Sequence, residues 1–207
     1  KNMVDIRAIG GNNSVLRAGN NDYISLRATR DGALFTAGWL EALALEGRIF
    51  IASDADANDL VLGQTSFADT TPTFMLRVPS GTTAIPLFVD LAQSGTVAGA
   101  AIDVIVEADN ADPWASGGTA ETVLSSRTDQ PITNACTLLS NPTVTTANYG
   151  VRLAGWTLGP DVSPAEGAIT KVIWRPHVPQ FLVGPASFKV YTYAGTTGPS
   201  WLWSIGW

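Results

Sequence analysis

The chain has 207 residues, a net charge of −6 and 45% hydrophobic residues, but only 14% charged residues, against about 25% in an ordinary soluble domain. That balance excludes a disordered chain, which would be polar and highly charged. The nine arginines and three lysines are scattered singly, which argues against a dedicated nucleic-acid groove of clustered basic residues.

Residues 1–22 read as an N-terminal arm: short apolar pairs, including Val4 with Ile6, are broken by GGNN and GNND. Residues 23–207 read as one domain. Its first strand is expected at 23–28. One short helix is expected near residues 37–47, where Trp39, Leu40 and Leu43 fall at helical spacing and Gly47 supplies a stop. The stretch RIFIAS (48–53) then turns extended. The following loop, DADAND, places carboxylates at Asp54, Asp56 and Asp59. An EF-hand would need Gly at its sixth position and Glu at its twelfth, where Asp59 and Thr65 stand, so a solvated acidic loop is the reading and a non-EF calcium site the alternative.

From there the pattern is strands. Phe74, Leu76 and Val78 alternate inward, with Met75 and Arg77 outward; Gly81 makes a turn; residues 84–92 follow, with Pro86 favouring an edge. Residues 100–108 alternate again. DNADPWASGGT (109–119) reads as a long loop carrying Trp114. Further strands are expected at 121–126, 143–146, 151–158, 171–174, 188–194 and 200–207, with a long loop at 158–170. The last two read as a hairpin. Trp201, Trp203, Ile205 and Trp207 recur every second residue, so they share one face. The first three are expected in the core, because together in water they would form a large apolar patch. Phe74–Thr83 and Phe188–Thr197 echo each other through a shared Gly-Thr-Thr turn, which is read as common turn chemistry and not as a duplication.

Eight to ten strands on about 200 residues, joined by Gly- and Pro-rich turns, predict an all-β fold: an antiparallel β-sandwich, as a single jelly roll. No apolar run approaches the ~18 residues of a membrane span. The chemistry of catalysis is missing: there is one histidine, His177, between two prolines; one cysteine, Cys136, among apolar neighbours; and no Gly-x-Ser-x-Gly, phosphate loop or dinucleotide fingerprint. No enzyme activity, no catalytic residue and no transition-metal site are expected, and Cys136 is expected to be a buried, inert thiol. Of the seven tryptophans, Trp114 and Trp207 are the expected interface residues, with Val4 and Ile6 of the arm gaining burial on a neighbouring copy.

The segments FLVGPASFKVYTYAGTTGPSWLWSIGW (181–207) and MLRVPSGTTAIPLFVDLA (75–92) together resemble structural proteins of bacterial viruses of the jelly-roll capsid type. The resemblance covers roughly a quarter of the chain and involves no diagnostic motif. It implies a self-assembling capsid or capsid-decorating subunit, found in the virion, whose partners are other copies of itself and other capsid proteins; it carries no catalytic residues and no cofactor. A reading from another class is a secreted carbohydrate-binding or adhesive β-sandwich that uses exposed tryptophans.

Overall fold

The computed structural model describes residues 8–9, 23–24, 38–54, 60–94, 98–129, 132–145, 150–159 and 170–207. In chain order they form β1 (Ala8–Ile9), β2 (Tyr23–Ile24), α1 (Trp39–Leu45), β3 (Phe50–Ser53), β4 (Val61–Leu62), β5 (Phe74–Val78), β6 (Thr83–Ala84), β7 (Phe88–Gln93), β8 (Ile102–Asp109), β9 (Trp114–Ala120), β10 (Val123–Ser125), β11 (Thr137–Val144), β12 (Val151–Leu158), β13 (Lys171–Trp174), β14 (Leu182–Val183), β15 (Ala186–Ala194) and β16 (Ser200–Gly206). The chain divides into two compact units: Lys1–Ile49 with Ser126–Ile132, and Phe50–Ser125 with Thr133–Trp207.

In the smaller unit β1 and β2 pair antiparallel, Ala8 opposite Ile24 and Ile9 opposite Tyr23. The helix α1 is short because both its ends are capped. Glu41 Oε2 accepts the Gly38 N–H at 2.9 Å. At the other end Gly47 takes a left-handed φ of 72°. Its N–H then reaches Ala44 O and the Arg48 N–H reaches Leu43 O, both at 2.9 Å, the paired bonds of a Schellman stop. None of the helix's residues is buried.

The larger unit is an all-β antiparallel sandwich of two six-stranded sheets. Sheet 1 runs β10-β3-β16-β7-β13, with β4 also paired to β16. Sheet 2 runs β12-β8-β15-β5-β11-β9, and β6 pairs with β14 outside both. If β3, β5, β7, β8, β12, β13, β15 and β16 are numbered one to eight, the sheets read 1-8-3-6 and 2-7-4-5. Each step along the chain but the fourth changes sheet. The extra strands β9, β10 and β11 all fall within that fourth step and widen both sheets.

The core lies between the sheets, and strand alternation places it there. Phe74, Leu76 and Val78 of β5, Ile102, Val104 and Val106 of β8, and Phe188 and Val190 of β15 face Val89 and Leu91 of β7 and Trp201, Trp203 and Ile205 of β16. Ring contacts cross the gap: Phe74 to Trp203 at 4.8 Å and Trp174 to Phe188 at 5.1 Å between centroids. The Trp201 indole N–H is buried and donates to Thr192 Oγ1 at 2.9 Å. Thr192 Oγ1 lies 2.9 Å from Thr73 Oγ1, which also accepts the Thr192 N–H at 3.0 Å.

Several sequence expectations change here. The tryptophan strand does not form a hairpin with residues 188–194: β15 lies in sheet 2, and β16 in sheet 1 between β3 and β7. The linker 195–199 is a crossing, packed so closely that a Cβ on Gly198 would strike the backbone of Gly63. Residues 74–92 likewise cross from β5 to β7 in the opposite sheet, and Pro86 falls before β7, a central strand. The expected loop around Trp114 contains strand β9. Its Gly117 and Gly118 have φ of 64° and 87°, so no apolar alternation marks it. It is extended because β11 offers ladder partners from Leu139 to Val144. Met75 is fully buried although it points outward, since part of the outer face of sheet 2 is also covered. Phe67 packs on Tyr191 and Tyr193 at 5.6 and 5.3 Å, and the Tyr191 hydroxyl donates to Asp69 O at 2.9 Å. The expected arm, residues 1–22, lies outside the described residues apart from β1.

Two substitutions test this core. Trp203, 5% exposed, should cost about 3–5 kcal/mol when cut to alanine, as large-to-small changes do in a packed interior. Thr192→Val keeps the shape but leaves the Trp201 N–H without its acceptor and should cost about 1–3 kcal/mol. Urea unfolding midpoints measure both, and an unchanged midpoint in either would contradict the packing described.

Candidate functional site

One side of the sandwich is bounded by β12, the last strand of sheet 2, and β13, the last strand of sheet 1. Between them lies a groove of about 400 Å³, lined by Leu153, Ala154 and Trp156 from β12, by Ile173 and Trp174 from β13, and by Arg175, Pro176, His177, Val178 and Gln180 from the segment after it. Alternation along β13 turns Val172 and Trp174 into the core and leaves Ile173 exposed. Trp174 is buried on Phe188, while Trp156 is half-buried. Arg175 Nη2 is 3.7 Å from Asp90 Oδ2, and Gln180 Nε2 donates to Val178 O at 3.3 Å. The pairing of indole surface with a guanidinium, an imidazole and an amide suits stacking and hydrogen bonding to a polar ring-shaped ligand. Among the described residues the lining holds no hydroxyl, thiol or carboxylate.

A second cluster fixes Trp114 on the edge strand β9. Arg77 projects from β5 and forks onto Asp112, with Nε 2.9 Å from Oδ2 and Nη2 2.6 Å from the same oxygen. The guanidinium carbon lies 4.3 Å from the Trp114 ring centroid, a cation–π stack. The Trp114 indole N–H donates to Gly117 O at 3.1 Å. The ring is therefore held at two points, on its face and at its N–H, yet 39% exposed. A rigid, half-open aromatic of this kind can anchor a partner with little loss of conformational freedom.

The other expected residues separate. Trp207, expected at an interface, is only 5% exposed: it lies in the core cluster near Phe50, with backbone bonds to Phe50 in both directions. It needs no neighbouring copy for cover, because the ladder that joins it to β3 turns the ring inward. Val4, Ile6, Asp56 and Asp59 lie outside the described residues, and of the candidate calcium ligands only Asp54 falls within them. Among the described residues no group of three or more His, Cys, Asp or Glu side chains is arranged to hold a metal ion, and no helix is long and apolar enough to cross a membrane. The sequence reading missed the groove and the Arg77–Asp112 fork. Trp156 lies on β12 of sheet 2 and Arg175 just after β13 of sheet 1, and Arg77 and Asp112 are separated in the chain by three strands, β6, β7 and β8, so no spacing reveals either set.

No family model, no curated protein and no solved structure matches the chain.

Cys136 is buried, with its backbone N–H donated to Asn134 Oδ1 at 3.0 Å. Burial pushes its thiol up to about 11, so almost no thiolate exists at neutral pH. A disulfide reagent should therefore label it slowly in the folded protein and at once in urea. A folded-state pKa above the unfolded one means that the thiol's contribution to stability is complete below the unfolded value, about 8.5, and is lost as pH rises toward 11. Labelling of the native protein at the unfolded rate would contradict this burial.

Proposed function

We propose that the chain is a jelly-roll structural subunit that works by assembling with other copies, in the capsid or capsid-decorating role that its sequence resemblance implies. The observation that carries this reading is the strand order. Sheets reading 1-8-3-6 and 2-7-4-5 support reading the sandwich as the two Greek keys of a jelly roll, an architecture used by viral capsid and lectin domains. Surface chemistry supports the assembling half of that pair. Val178, Phe181 and Val183 lie within six residues of one another and are 66–69% exposed. With 14% charged residues in the chain, little like-charge repulsion opposes contact at such a ridge. Trp114, clamped by Arg77 and Asp112, is a second anchor.

The carbohydrate-binding reading is favoured by one feature, the groove containing Trp156, Trp174, Arg175, His177 and Gln180. Lectin jelly rolls make that a coherent second reading.

Light scattering across a concentration series, with electron microscopy of the same samples, separates the two. The assembly reading expects particles or oligomers that persist at high salt, since apolar contacts are not screened. It further expects Phe181→Ser combined with Val183→Ser to shift the population toward monomer by at least tenfold in apparent dissociation constant, with an unchanged melting temperature. A concentration-independent monomer whose tryptophan fluorescence titrates with an oligosaccharide, and whose response disappears in Trp156→Ala, would replace this reading with the second.

A further inference from the structure

Strand β15 carries a lysine inside an otherwise uncharged, largely buried run. Lys189 lies between Phe188 and Val190, and its side chain, on the outer face of sheet 2, is only 3% exposed. Register places Glu107 of β8 and Met75 of β5 directly opposite it on either side. Asp109, two residues along β8, shares the face with Glu107. Lys189 Nζ is 3.4 Å from Asp109 Oδ2 and 3.7 Å from Glu107 Oε2. The Asp109 side chain is 2% exposed and Met75 is fully buried, and the Tyr191 ring centroid lies 6.0 Å from Nζ.

Two carboxylates and one ammonium make a poor buried set. Desolvation of all three is only partly returned by their attraction, and one negative charge is left over. Passing the lysine proton to a carboxylate removes a pair of charges and leaves a neutral amine beside a carboxylic acid, which are the reactants of an amide bond.

We propose that Lys189 and Asp109 condense into an intramolecular isopeptide bond that staples β15 to β8. Glu107 relays the ammonium proton to Asp109 Oδ2, and the freed amine attacks Asp109 Cγ. The developing negative charge falls on Oδ1, which already accepts the Ala111 N–H at 3.2 Å; this donor serves as a one-point oxyanion site. Glu107 then takes a proton from the attacking nitrogen and returns it to Oδ2, the Cγ–Oδ2 bond breaks and water leaves. Ammonium and carboxylate become amide and water, Glu107 ends as it began, and no oxidant or cofactor is consumed. Ser187 stands opposite Asp109 in register, and its buried Oγ has no hydrogen-bond partner among the described residues.

The intact mass of the purified protein, measured under denaturing conditions, tests this directly. The expected mass is lighter than the sequence by one water molecule, and proteolysis should yield a branched peptide joining the segments around Asp109 and Lys189. Lys189→Met and Asp109→Ala should each run at full sequence mass, and Glu107→Gln should keep the strand signal in circular dichroism while condensing at least tenfold more slowly. Wild-type protein that is folded and at full sequence mass overturns the proposal, as does a water loss that persists in Lys189→Met. If the Lys189 variant does not fold, the presence or absence of the branched peptide in the wild type decides the matter alone.

Discussion

The sandwich turns on one buried donor. Trp201 brings an indole N–H into the middle of an apolar layer, where an unpaired polar group would be expensive. Its acceptor, Thr192 Oγ1, belongs to the other sheet and is itself held by Thr73. This three-residue relay aligns β16 against β15 across the gap. Hydrophobic contacts alone tolerate sliding, but a directional bond between sheets does not. The ring pairs Phe74–Trp203 and Trp174–Phe188 can then settle in one arrangement.

The same constraint explains the crossings. Since β16 must face β15 instead of lying beside it, the chain between them has to climb from sheet 2 to sheet 1 within five residues, 195–199. It does so with Thr196 at a φ of 65° and Gly198 packed against Gly63. Gly63 in turn opens the segment that lays Phe67 over Tyr191 and Tyr193. Burial there pushes the Tyr191 phenol far up, helped by the charges of Glu107, Asp69 and Asp109. The crossing, the covering segment and the closed outer face thus depend on one another.

What could be read from the sequence follows from what alternation encodes. Periodicity reports which face a side chain takes, so β5, β12 and β13 were legible to the residue, and Trp201, Trp203 and Ile205 were correctly placed in the core. The stop of α1 was legible because only a residue like Gly47 accepts its φ. Pairing partners were not, since alternation is the same whether β16 lies beside β15 or opposite it. Strand β9 was hidden because its extended form is imposed by β11, not by its own residues. Trp207 shares the periodicity of Trp201 and Trp203 and is buried with them, whereas position in the chain, the ground for expecting it at an interface, says nothing about burial. The groove and the Lys189 cluster depend on strands meeting in space, and Val4, Ile6, Asp56 and Asp59 lie outside the described residues.

The glycine pair in β9 has an effect on the rim of sheet 2. An outermost strand normally offers a continuous row of amides and carbonyls onto which a stray strand can zip. Here two successive left-handed residues, Gly117 and Gly118, turn that row aside midway, and Trp114 and its arginine clamp occupy one end of it. The rim is a poor template for runaway, amyloid-like growth. If the proposed assembly holds, a low-charge protein needs such a guard, because what separates an ordered lattice from a precipitate is that copies join through side chains at chosen places and not through backbone at any of them.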